Sequence, residues 1–188
     1  MKITLDEFCL QWVKGNQYRT MASRFEKNTF DFATIAGEYS KRFFQTSFIY
    51  GGFYGSGSKW KARESKWGKK FTHPVMIDTG TLRNSIKGET HESNFTGHRD
   101  NGTKIFRRGA KYYIWTTEVS MPQRGKRGRK RGNGRYAAVH NSDPSKTNFT
   151  VNQYSSRKPV QRQFIGFSRK LDDDLKRFIP MIFKGFPL

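Results

Sequence analysis

The chain has 188 residues, of which 34% are hydrophobic and 15% aromatic, so large rings must fill most of one compact core with an extension or small appendage. Its 36 Lys+Arg against 15 Asp+Glu leave a formal net charge of +21, a field that attracts polyanions and points to nucleic acid or a very acidic protein as neighbour. A single cysteine, Cys9, excludes an internal disulfide framework and a multi-cysteine zinc site, and no apolar run reaches the roughly 18 residues of a membrane span.

The first residues, Met1 to Glu7, turn acidic early and lack the apolar core of a signal peptide, which implies synthesis and use on the cytosolic side, or inside a particle assembled there. Thr4-Leu5-Asp6-Glu7 has the spacing of a capping box, and Leu5, Phe8, Cys9 and Trp12 recur on one face, predicting a short helix from Leu5 to Lys14. Cys9 in that stripe reads as a packed thiol. From Gln17 to Phe48 there is no proline and one glycine, Gly37. Tyr18, Met21, Ala22, Phe25, Phe32, Ile35, Ala36, Tyr39 and Phe43 form an apolar stripe at helical spacing, predicting one long helix that can bend near Asn28-Thr29 or Gly37.

Gly51 to Ser58 is rich in glycine and serine and reads as a flexible connection over 51–59, dividing an N-terminal helical region, 1–50, from an α+β domain, 60–188. It lacks the Gly-Lys-Ser/Thr of a phosphate loop. Trp60 to Lys70 is basic and suits a helix or an irregular arm, and Asp78 to Ile86 suits a turn with a short helical segment. Lys104-Ile105-Phe106, Lys111 to Val119 and Arg135 to His140 read as strands, with turn chemistry at Gly97 to Gly102. Residues 121–134 form a low-complexity basic loop in which Arg124, Lys126, Arg127, Arg129, Lys130 and Arg131 alternate with glycines and no acid intervenes. Such a segment buries nothing of its own and is ordered, if at all, by a partner. Ser168 is placed to cap a last helix through Leu171, Leu175, Phe178 and Ile179, with Pro180 ending or bending it. The sum is an α+β fold: a long N-terminal helix, a mainly antiparallel sheet, and a C-terminal helix packed on that sheet.

Catalytic constellations are hard to assemble from these residues. His73, His91, His98 and His140 are scattered without metal-ligand spacing, and no GxSxG nucleophile elbow occurs. Asp172-Asp173-Asp174 is the one acidic run, and consecutive helical residues point apart, so its charges suit the helix dipole better than a metal. Neither an enzyme nor a cofactor site is expected. The Arg/Gly run suits phosphate neutralisation, but its lack of aromatic residues argues against base stacking.

Three segments in order carry a family resemblance. Met76-Ile77-Asp78-Thr79-Gly80-Thr81-Leu82-Arg83-Asn84-Ser85-Ile86 follows Trp60 and Trp67, with Leu82 and Ile86 four apart on one helical face and Ser85 polar; Tyr136-Ala137-Ala138-Val139-His140-Asn141 comes after the sheet region; Arg162-Gln163-Phe164-Ile165-Gly166-Phe167-Ser168 leads to the last helix, which Phe164 and Phe167 are placed to anchor to the sheet. Together, over residues 60 to 180, they resemble the phage virion morphogenesis family, the tail-completion or head–tail joining proteins of tailed bacteriophages. Pro159 is displaced from that family's pattern, and Ser142-Asp143 follows Asn141 where a glycine is usual. The resemblance implies a structural motif made by Asp78, Thr79, Gly80, Leu82, Ser85, Tyr136, His140, Asn141, Arg162, Phe164 and Gly166, none of them catalytic. It implies a homo-oligomeric ring, a hexamer or dodecamer, in the virion neck, assembled in the host cytoplasm. Its neighbours would be portal, adaptor or other neck proteins on one side and tail tube proteins on the other, with DNA in the channel and no membrane. A standalone basic nucleic-acid-binding protein is the alternative, and a metal-dependent nuclease a third reading.

Overall fold

The computed structural model describes residues 17–64, 66, 68–77, 79–98, 104–117, 136–150 and 156–186. The fold is α+β. A long helix, α1 (Gln17–Tyr50), leads into a tight hairpin of β1 (Gly52–Phe53) and β2 (Ser58–Lys59). A 3-10 turn at Gly68–Lys70 and a one-turn helix, α2 (Thr81–Asn84), precede two long strands, β3 (Ile86–His98) and β4 (Lys104–Thr116). Two further helices, α3 (Tyr136–Asn141) and α4 (Arg169–Lys176), and a 3-10 turn at Ile179–Phe183 complete the order. The helix expected at Leu5 to Lys14, with Cys9, lies outside the described residues, as does the basic loop 121–134. Among the described residues no helix is long and apolar enough to cross a membrane.

The long helix is continuous through Asn28, Thr29 and Gly37. Its buried line, however, is not the expected stripe. Phe25 and Ile35 are exposed, whereas Ala36, Ser40, Phe43, Phe44, Ser47 and Phe48 are buried. Serines at 40 and 47 hide this line from a hydrophobicity count, because they occupy core positions with small polar side chains. Ser47 is fully buried and its hydroxyl accepts the Tyr54 backbone N–H at 3.2 Å, so a helix residue fixes the hairpin that follows.

The chain folds as two compact units. Of the described residues, the first takes those within Met1–Gly37, Glu89–Tyr113 and Leu175–Leu188, and the second those within Glu38–Gly88 and Ile114–Asp174. Each unit thus draws on separate stretches of chain, and the division does not fall at 51–59. In the first unit, Thr34 and Thr90 hydroxyls meet at 2.7 Å, and Gly37 leaves room for the ring of Tyr112. There the C-terminal turn is held by Arg24, which donates to the Gly185 carbonyl at 2.6 Å, and by Asn28, which donates to the carbonyls of Ile182 (3.0 Å) and Lys184 (2.9 Å).

In the second unit the core gathers on the end of α1. The Phe48 ring lies 5.2 Å from that of Phe164 and 5.4 Å from that of Trp60, and Phe43 lies 4.9 Å from Tyr54. Burying each of the Phe43, Phe48 and Phe164 rings stabilises the fold by about 1.5–3 kcal/mol. The segment expected to be a flexible connection is therefore a packed hairpin. Gly52 pairs with Lys59 and Phe53 with Ser58, Phe53 is buried, and Gly51 at φ 70° turns the chain out of α1.

The long strands form a second two-stranded sheet. A five-residue link between neighbouring strands permits only the antiparallel pairing. Two expected strands, 104–106 and 111–119, are one strand, β4, and its partner β3 escapes notice in the sequence because it is almost wholly polar. The expected strand Arg135 to His140 is instead α3: Ala137 and Ala138 favour a helical turn, and the turn places buried Ala137 three residues from His140. The last helix starts where expected. The Ser168 hydroxyl accepts the Leu171 N–H at 3.2 Å as an N-cap, and Pro180 begins the 3-10 turn rather than extending α4 to Ile179. α4 is tied to the β1–β2 hairpin and to α1: Ser168 donates to the Gly55 carbonyl at 3.3 Å, and Tyr39 donates to Asp174 at 2.7 Å.

Candidate functional site

The second and third of the segments that carry the resemblance meet. α3 ends on Asn141, whose side-chain amide grips the approach to α4. Its Oδ1 accepts the backbone N–H groups of Phe164 (2.8 Å) and Ile165 (2.9 Å), and its Nδ2 donates to the Ile165 carbonyl at 2.9 Å. Beside it, the Arg162 N–H donates to the His140 carbonyl at 2.7 Å, and Gln161 donates to the Asn141 carbonyl at 3.2 Å. Trp60 donates its indole N–H to the Gln163 carbonyl at 2.8 Å, and the Arg162 guanidinium reaches the Lys61 carbonyl at 3.4 Å. An irregular segment has backbone groups that no helix or sheet satisfies, so side chains must do it. Here the side chains of Asn141 and Trp60 do so, joined by the backbone carbonyl of His140. Phe164 is pinned at 1% exposure, while Phe167, expected to anchor the helix with it, is 80% exposed.

Burial pushes the His140 imidazole down to about 4, and the neighbouring Arg162 guanidinium adds to the shift. A neutral, mostly buried imidazole suits a structural role at this junction. Gly166 is packed so closely that a Cβ would strike the Gln163 side chain.

The first motif segment is separate and builds a corner. Gly80, at φ 76°, adopts the left-handed conformation that starts α2, and its carbonyl accepts the Asn84 N–H at 3.0 Å. Leu82 is buried, and so is Ile86, but through the strand: α2 stops at Asn84, so the two are not four apart on one helical face. Ser85, expected to stay polar, is buried and satisfied, its hydroxyl donating to the Leu82 carbonyl at 2.7 Å and its own carbonyl accepting the Thr117 N–H at 3.0 Å. Thr79 is exposed beside the turn, and Tyr136 heads α3. Asp78 lies outside the described residues, as do Arg124, Lys126, Arg127, Arg129, Lys130 and Arg131.

The other candidates disperse. Arg63 donates to the carbonyls of His73 (2.7 Å) and Pro74 (3.1 Å), which ties the loop after the first 3-10 turn. His91 stacks edge-on against Tyr113 at 5.3 Å. Asp174 is engaged by Tyr39. Among the described residues, no three His, Cys, Asp or Glu side chains gather as a metal site. Sequence reading missed the clamp made by Asn141 because its partners lie 23 and 24 residues away. Comparison with family models, curated proteins and solved structures finds no match.

Proposed function

We propose that this chain is a structural virion protein of the neck of a tailed bacteriophage, forming a ring that joins the portal side to the tail and completes the DNA channel. The observation that carries the reading is the bonding of Asn141 to Phe164 and Ile165, which links two segments that resemble the head–tail joining family in sequence order. Residues of the resembling motif serve as scaffold: Asn141 and Ser85 satisfy backbone groups, and Leu82 and Phe164 fill the core. In this reading the chain turns over no substrate, and its +21 charge serves contact with DNA or with an acidic neighbouring ring. Mass spectrometry of gradient-purified virions tests it: a small symmetric copy number is expected, and absence from particles ends the reading.

The same charge favours a second reading, a standalone basic nucleic-acid-binding protein. That protein would bind duplex DNA in isolation, as a monomer or dimer, with a steep salt slope. Replacing Arg124, Lys126, Arg127, Arg129, Lys130 and Arg131 with Ser separates the two. A neck subunit loses particle yield or DNA retention, whereas a free binder loses affinity and up to about 0.9 of log–log salt slope for each phosphate contact removed.

A further inference from the structure

The first compact unit leaves apolar surface in water at its C-terminal end. None of the residues of the 3-10 turn Ile179–Phe183 is buried, although the turn reads Ile-Pro-Met-Ile-Phe. Ile179 is 45% exposed, Phe183 48% and Phe25 on α1 44%. Phe25 and Phe183 each stack edge-on against Phe186 with centroids 6.4 Å apart, so three rings form one patch. Exposed Arg24 and Lys184 border it. Isolated exposed rings need no explanation, but contiguous ones with a charged rim mark a contact surface.

The same unit carries a surface of opposite character. Glu26, Asp31 and Glu92 line a notch together with Lys27, Ser23, Gly109 and Phe30, the last 37% exposed, so carboxylates outnumber the one cation there. This is a concentration of acid in a chain with only 15 Asp+Glu. At 3.6 residues per turn, Phe25 of the patch and Phe30 of the notch point roughly 140° apart around α1.

We infer that the basic-rimmed patch of Phe25, Phe183 and Phe186 on one copy seats in the acidic notch of Glu26, Phe30, Asp31 and Glu92 on a second copy of this chain. Charge complementarity selects this occupant. Patch against patch would set Arg24 and Lys184 against their own copies, whereas patch against notch sets cations against carboxylates and ring against ring. Because the surfaces lie on different sides of one helix, each copy that offers its patch keeps its notch free. Such a contact is heterologous and propagates until it closes, as a ring requires. The inference rests on the ring reading and supplies its subunit contact.

Sedimentation of the full chain with Phe183→Ser, Lys184→Glu and Glu92→Lys variants tests it. Wild type should self-associate beyond a dimer, and each variant, with an unchanged far-UV spectrum, should lose about tenfold or more in affinity. The decisive sample is an equimolar mixture of Phe183→Ser with Glu92→Lys. One intact patch and one intact notch remain, so the mixture should form dimers and stop there. Association of the single variants at wild-type strength, or a wild type that stays monomeric, overturns the inference. Virion content keeps it distinct from the neck reading. A chain present in particles whose variants associate normally loses only this contact, and a chain absent from particles that still associates by patch and notch loses only the neck.

Discussion

A methyl group placed on Gly37 would fall within the ring of Tyr112, so the only glycine of α1 is the point where β4 lays a side chain on helix backbone. Two effects oppose each other in Gly37→Ala. Alanine gains about 1 kcal/mol of helix propensity, while overpacking a closed contact costs about 1–3 kcal/mol. The clash is with Cγ and both Cδ atoms at the base of the ring rather than the end of a flexible side chain, so overpacking wins. Gly37→Ala should lose about 1–2 kcal/mol by urea denaturation. Combining it with Tyr112→Ala should cost less than the two changes summed. Strict additivity would mean that the two residues do not share this contact.

Phe164 and Phe167 stand three residues apart and look interchangeable in the sequence, yet one is 1% exposed and the other 80%. Phe164→Ala should cost about 3–5 kcal/mol, the range for emptying a buried ring. Phe167→Ser should stay within about 0.5 kcal/mol of wild type. Thermal unfolding of both variants checks the contrast, and equal losses would contradict the packing.

The extent of α1 was legible because 34 residues without proline state a helix plainly, and Ser168 announced α4 by its capping chemistry. The core face of α1 was not, since Ser40 and Ser47 occupy buried positions that hydrophobicity does not mark. α3 is six residues long, too short for a period of two to be told from one of 3.6, so Tyr136 to Asn141 passed for a strand. β3 went unseen because Lys87, Glu89 and His91 face water while Gly88 and Thr90 are half-buried, leaving no apolar alternation to detect. The motif residues were legible through resemblance alone. Their roles needed the fold, because nothing in local spacing says that Asn141 reaches Phe164.

Asn141 makes three hydrogen bonds to one irregular segment through a single amide. At about 1 kcal/mol for each bond, with a further cost for part-buried backbone groups left unpaired, Asn141→Ala should lose about 2–4 kcal/mol. Asn141→Asp preserves the acceptor for Phe164 and Ile165 but sets a carboxylate oxygen against the Ile165 carbonyl, so its loss should be intermediate. Amide exchange at Phe164 and Ile165 should accelerate in the alanine variant well before global unfolding. Unchanged protection there would mean that other contacts hold the segment.

His140 gives the fold a pH dependence whose sign follows from its surroundings. Burial, with the Arg162 guanidinium close by, lowers the folded imidazole to about 4, against about 6.5 in the unfolded chain. Between those values the unfolded state binds the extra proton, so stability rises with pH across that window. The contribution is fully present above about pH 6.5 and is lost as pH falls through about 4. The slope approaches 1.4 kcal/mol per pH unit within the window, and the total is at most about 3 kcal/mol. Glu64 and Asp143, whose carboxyls are held below their ordinary range by Lys61 and by Ser145, lie at the protein surface, where solvent screening leaves little of the shift as stability. His140→Gln keeps the backbone carbonyl that holds the Arg162 N–H and removes the titrating ring. Wild type should therefore lose unfolding free energy relative to His140→Gln between pH 7 and pH 4.5, measured by denaturant titration at each pH. If the two proteins keep the same difference across that range, the imidazole is not held neutral by the fold.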